Sequence, residues 1–220
     1  MRYHRAVEKL RVLADACQWT TRLPSDEPFL QEAYVFGDLL DGADPVESVR
    51  VALALNLPPE EVPWCSQPPG TAWLVDSMRL DKGGFAYWWR SRDEPVWNHV
   101  IRGPVRFWSL DGTDESVLDA LCDRRFADLP RATASQADLR RRVEVELDRA
   151  LARLRTVRQK YWDRDWRGEH RGGGRYPENH LWEAVDGYLD LLGAMDAVSG
   201  RDRAQGGGRL KRDGAGDIAT

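Results

Sequence analysis

Two groups of residues in this chain have types and spacings that could carry chemistry. The first surrounds a glycine: Gly37-Asp38 closes one apolar run, Asp41 and Asp44 follow, and Glu47 and Arg50 open the next. Carboxylates at i and i+2 of a strand point the same way and can share a divalent cation, which offsets charge on phosphate oxygens during a displacement. A small residue after the glycine would let backbone N–H groups approach the phosphate. Here the i, i+2 pairs are Glu47 with Val49 and Ser48 with Arg50, so neither supplies two carboxylates, and Asp38 would repel a phosphate. Asp41 and Asp44 could reach a metal only from a rearranged loop. Gly37, Asp38, Glu47 and Arg50 remain as ligand-contact candidates, with no metal and no other cofactor expected. For Arg50 the favoured role is that of an ordinary solvent-facing strand residue.

The second group is Arg164, His170, Arg175 and His180, the candidates for catalysis. A histidine could take a proton from a ribose hydroxyl while an arginine stabilises the phosphate. Asp163, Asp165, Glu169 and His170 are all metal-ligand types, but their spacing matches neither a zinc site nor a calcium loop. The favoured reading is a helix–helix connection in which Asp163 and Asp165 bond turn amides and Pro177 opens the next helix. Trp88, Trp89, Trp97 and Trp108, interleaved with Arg90, Arg92, Arg102 and Arg106, could stack nucleotide bases. An aromatic core with arginines snorkelling at its rim is preferred. Alternation puts Trp88 and Trp89 on opposite faces of a strand. His99 reads as structural and His4 as solvated.

The elements that must position these groups follow from periodicity. Val7, Leu10, Leu13, Ala14 and Cys17 predict a helix over 3–20. Strands are expected at 31–36 and 46–55, joined by the Gly37 turn and a short helical link. A short helix is expected at 71–79 with Thr71 as its cap, strand-like segments at 85–89, 96–101 and 104–109, and a helix at 113–126. Beyond Pro130 the pattern becomes helical. A charge-laced helix at 135–161 carries a stripe of Leu139, Val143, Leu147, Leu151, Leu154 and Val157. A last helix at 177–198 is expected to bury Leu181, Trp182, Val185, Tyr188, Leu189 and Leu192. The fold class is α+β: a mixed β-sheet core with helices on one face, plus a C-terminal helical hairpin. The expected division is 1–130, 131–198 and a disordered tail at 199–220.

Composition bounds the rest. Hydrophobic content of 42% and ten tryptophans exclude general disorder. A net charge of −4 gives no global field for nucleic acid or an anionic membrane. No stretch approaches the roughly 20 apolar residues that span a bilayer, and the start of the chain does not read as a signal peptide, so a cytoplasmic setting is expected. Cys17, Cys65 and Cys122 suggest neither a metal pair nor a disulfide framework. Cys17 and Cys122 read as small buried hydrophobes.

The strand, Gly37 turn and second strand resemble the small bacterial forms of the nucleotidyltransferase superfamily, over about residues 3–55 as a pattern of elements. Without the carboxylate pair, the resemblance implies a degenerate, non-catalytic version of that fold. Arg164 to His170 and Arg175 to His180 are similar to the Arg-x(4–6)-His pattern of helical ribonucleases that are paired with nucleotidyltransferase-like antitoxins. Over about residues 1–195 the chain also resembles an uncharacterised protein family of bacteria with high-GC genomes. Its marks are Ala33–Gly37, Pro69–Leu74, Pro95–His99, Arg106–Gly112 and Arg175–Val185. That likeness implies no catalytic residues. The leading expectation is a non-catalytic protein that binds a protein or nucleotide partner. A metal-independent ribonuclease and an active nucleotidyltransferase are the alternatives.

Overall fold

The structure, a computed structural model, describes residues 1–22, 27–172 and 175–206, with backbone alone from 199 to 206. Helix α1 (Tyr3–Thr20) precedes strands β1 (Leu30–Phe36) and β2 (Val49–Leu55), which are joined through a 3-10 turn at Gly37–Leu39. Helix α2 (Ala72–Ser77), β3 (Phe85–Ser91), β4 (Val105–Ser109), β5 (Gly112–Thr113) and α3 (Glu115–Cys122) follow. The chain then becomes helical: α4 (Gln136–Lys160), α5 (Arg164–Glu169) and α6 (Pro177–Gly206). The sheet order is β3-β2-β1-β4-β5, mixed in sense because β2 and β3 run parallel while the other neighbours are antiparallel.

Strand alternation sends the two side-chain sets into two cores. Ala33, Val35, Val51, Leu53, Trp89 and Phe107 meet α1, α2 and α3. Tyr3 of α1 donates its hydroxyl hydrogen to the Leu121 carbonyl of α3 at 2.8 Å, which fixes the two helices together. Phe36, Ala52 and Trp88 project to the other face, where Val143 and Ala150 of α4 and Leu191 of α6 cover them. The sheet therefore carries helices on both faces, not one; the C-terminal hairpin supplies the second layer.

Several expected elements are corrected. Segment 96–101 is a turn, because the Asn98 carboxamide oxygen accepts from Val100 N and Ile101 N, both at 2.9 Å. Thr71 stands at the N-cap of α2 as expected, but its side chain makes no capping bond; its hydroxyl donates to the Pro68 carbonyl at 2.7 Å. Helix α6 continues through residues 199–206, which were expected to be disordered; Arg, Ala and Gln there extend a helix already nucleated. The remainder of the expected tail, 207–220, lies outside the described residues. The buried stripe of α6 is Ala184, Gly187, Leu191 and Val198, while Trp182, Leu189 and Leu192 are exposed. The reason is Gly187, which sets the line of closest approach: a Cβ there would lie 2.3 Å from the Trp64 carbonyl oxygen.

The sheet and α4 are joined by buried charge. Arg90 on β3 and Glu146 on α4 are each only 3% exposed, with Nη2 and Oε1 2.5 Å apart. Arg142 Nε stands 2.8 Å from the same oxygen, and Asn98 donates to Oε2 at 3.0 Å. Glu94 extends the network, bound to Arg142 at 2.8 Å and bidentately to Arg149 at 3.0 and 2.8 Å. Burial acts to raise the Glu146 pKa, but Arg90 and Arg142 outweigh it and hold the carboxyl below the usual range.

Glu146→Gln leaves the buried Arg90 guanidinium without a carboxylate and Arg142 with Glu94 alone, and should lower unfolding free energy by about 3–5 kcal/mol in denaturant titration. Gly187→Ala should cost about 1–3 kcal/mol despite its better helix propensity, since backbone must move. Gly193→Ala, whose Cβ would meet nothing within 4 Å, should gain about 0.5–1 kcal/mol by the same measurement.

Candidate functional site

At the front, Gly37 has φ +75°, and a Cβ on it would lie 3.1 Å from Arg50 Cδ. Arg50, opposite Phe36 in the β1–β2 register, thus lays its side chain over the glycine. Asp38 is half-buried in the 3-10 turn and Glu47 is exposed ahead of β2. The other acids of this loop serve structural cations. Asp41 pairs with Arg131 at 3.0 Å, and Arg131 also donates to the Leu40 carbonyl. Asp44 lies 3.9 Å from Arg2 and 3.7 Å from Arg124, and accepts from Tyr3 N at 3.4 Å. Among the described residues, no three His, Cys, Asp or Glu side chains gather as a metal would require.

The second group converges. Asp163 caps α5 by accepting from Trp166 N at 2.8 Å, as expected for an acid at a helix start. One turn on, His170 stacks on Trp166 with ring centroids 4.2 Å apart, and its Nδ1–H donates to the Trp166 carbonyl at 2.8 Å. A carbonyl only accepts, so His170 carries its proton on Nδ1 when neutral and presents Nε2 as a base. His180, in the first turn of α6, meets His170 edge-on at 4.7 Å. Arg175 pairs with Glu183 and donates to the Gln67 carbonyl at 3.4 Å. His170, His180 and Arg175, with the Gln67–Gly70 loop, line an open cleft of about 460 Å³. The same imidazole pair also lines a second hollow of about 290 Å³, together with Arg153 and Lys160 of α4 and Glu60. Arg164 is exposed on α5 and lines neither.

Arg153 is the residue that sequence reading missed. Its Nε is buried without a hydrogen-bond partner, and among the described residues no carboxylate lies within ion-pairing distance. Burial lowers its pKa; Glu183 opposes that and Arg175 reinforces it. His180 is pushed down to about 4 by burial, then by Arg175, His170 and Arg153. Glu183 is raised by burial, against the pull of Arg175. The shared imidazole pair thus stands between Arg175 of the cleft and an unpaired Arg153 of the hollow, with Glu169 and Glu60 on the respective walls, and the two guanidinium groups give the pair a setting that suits an anion. The signal for Arg153 was its spacing: it falls seven residues after Glu146 and three after Ala150, on the buried stripe of α4.

The other expectations resolve as follows. Trp89 and Trp108 are core, and so is Arg90, which does not snorkel. Arg106 pairs with Glu32 at 2.8 Å. His99 is structural, its Nε2 2.8 Å from Asp190 and its ring edge-on to Trp64. Cys17 is buried, but Cys122 is exposed beside Arg11 at 3.7 Å, because α3 turns that side of its last turn to solvent. Among the described residues no helix is long and apolar enough to cross a membrane.

A family model described as "Domain of unknown function (DUF7711)" matches residues 1–197, and the chain belongs to that family. No curated protein and no solved structure matches it.

Because His180 titrates near 4 in the fold and near 6.5 otherwise, the unfolded chain binds more protons between those values. The stability gained by keeping it neutral is complete above pH 6.5 and drains away as pH falls toward 4. His180→Gln should flatten the fall of melting temperature across that window by about 2–4 °C relative to the parent protein.

Proposed function

We propose that this member of the family binds a phosphate-bearing ligand, a nucleotide or RNA, at the histidine pair that the cleft and the Arg153 hollow share, and not over the Gly37 turn. The observation that carries the reading is Arg153, a sequestered cation without a carboxylate partner, beside Arg175 and two imidazoles. A cation held out of water costs stability unless an anion comes to it. The α1–β1–turn–β2 layout supports a nucleotidyltransferase-like core, and the diversion of Asp41 and Asp44 to Arg131, Arg2 and Arg124 supports its being a degenerate one.

A second reading, metal-independent cleavage of RNA, is favoured by the tautomer of His170. Its Nε2 could accept the proton of a ribose hydroxyl while Arg175 and Arg153 stabilise the charge on phosphorus. His170→Ala with His180→Ala would abolish such cleavage in the presence of EDTA.

Binding is tested by the melting temperature with phosphate and with nucleoside monophosphates, in EDTA. A saturating ligand should raise it by about 2–4 °C. Arg153→Met should remove that response while leaving the free protein as stable or more stable, since it deletes an unpaired buried charge. A ligand response that needs Mg²⁺ and is lost in Asp38→Asn or Glu47→Gln would overturn the reading and return the site to the front.

A further inference from the structure

A second cleft, of about 420 Å³, adjoins the histidine cleft and is lined by Phe85 to Trp89 of β3, by Cys65 to Gln67, and by Glu183. The two meet at one ridge. Arg175 lines the histidine cleft, yet its guanidinium grips Glu183 and the Gln67 carbonyl, which belong to the aromatic one. β3 is an edge strand with β2 as its one neighbour. Gly84 O and Arg92 N bond toward β2, so even-numbered residues face the sheet and Phe85 and Tyr87 turn their N–H and C=O outward. The cleft thus combines rings with a donor and an acceptor on one open backbone edge. Trp88 is held in place from behind by Phe36, with centroids 5.3 Å apart, and by Trp64, stacked at 6.4 Å.

We propose that the aromatic cleft is a nucleobase subsite. The base lies against Trp88 and the Tyr87 backbone edge, with the Gln67 carboxamide beside it, and the ribose crosses the Arg175–Glu183 ridge to place the phosphate in the histidine cleft. This rests on the phosphate reading above and names its ligand class: a ribonucleotide or the end of an RNA strand, not a simple phosphate ester. A planar ring gains from stacking, and a base edge presents the donor and acceptor pattern that a strand edge complements.

The test is titration of the full chain, in EDTA, with inorganic phosphate, ribose 5-phosphate, AMP and UMP, read by tryptophan fluorescence and calorimetry. At least one nucleotide should bind about tenfold or more tightly than ribose 5-phosphate. Trp88→Leu should bring it down to the ribose 5-phosphate level with phosphate affinity unchanged. Gln67→Ala, on a loop, should lose about threefold or more of the nucleotide preference and carries the test should Trp88→Leu not fold. Nucleotides binding no better than ribose 5-phosphate, with phosphate still bound at the histidine pair, would sink the base subsite and leave the phosphate reading standing. Binding of none of the four would sink both.

Discussion

The ion pair between Arg90 and Glu146 is the constraint on which the rest of this molecule depends. It sits in the second core, where an unpaired charge would cost several kcal/mol, and it is tolerated because Arg142, Asn98 and Glu94 surround the pair with opposite charge and further bonds, although Arg90 Nε itself finds no hydrogen-bond partner. Apolar burial alone would let a long helix slide or rotate over the sheet, since hydrophobic contact is non-directional. A charge-assisted bond at 2.5 Å does not. It sets the rotation and the register of α4 on β3, and α6 then packs against α4 with Gly187 seated on the Trp64 carbonyl.

That register has a direct consequence for the candidate site. Arg153 stands two turns beyond Glu146 on the same side of α4, so the contact that fixes Glu146 also delivers Arg153 beneath the histidine pair. The two arginines illustrate opposite fates of a buried cation. Arg90 has a carboxylate and serves the fold. Arg153 has none in ion-pairing distance among the described residues, and its desolvation is offset only in part, by the more distant Glu183. Proteins keep such groups where function needs them, at a cost to stability.

Much of this was legible in the sequence. The 3–20 helix, the strands on either side of Gly37 and the long helix after Pro130 all follow from the spacing of apolar residues, because each buries one clear face. The mixed α+β class followed with them. What was not legible was any feature set by contact across the fold. Arg142 and Glu146 look like surface charges on a helix, and nothing local pairs them with Arg90, 56 residues from Glu146. The stripe of α6 was misplaced because its largest apolar residues, Trp182 and Leu189, are not the buried ones; a glycine chose the face. In the site, the Arg/His spacing located three of four converging residues. It could not show that Arg164 faces water, since a helix as short as α5 has too few turns to reveal a buried side.

On the proposed reading, phosphate is bound by the C-terminal part of the molecule and not by the front. A metal-using site needs carboxylates with no other partners; here Asp41 and Asp44 are committed to arginines that tie the β1–β2 loop to α1 and to the segment after α3. Freeing them for a cation would give up those ties between the loop and its neighbours. On that reading the positive charge facing a phosphate comes from side chains among the C-terminal helices, Arg153 and Arg175. Guanidinium groups there need no protons removed and no cation recruited, and His180 stays neutral through the physiological range because burial, reinforced by those same groups, suppresses its charging. The electrostatics of the cleft are thus set by the way α4 is locked to the sheet, which makes the buried ion pair a determinant of the candidate site as well as of the fold.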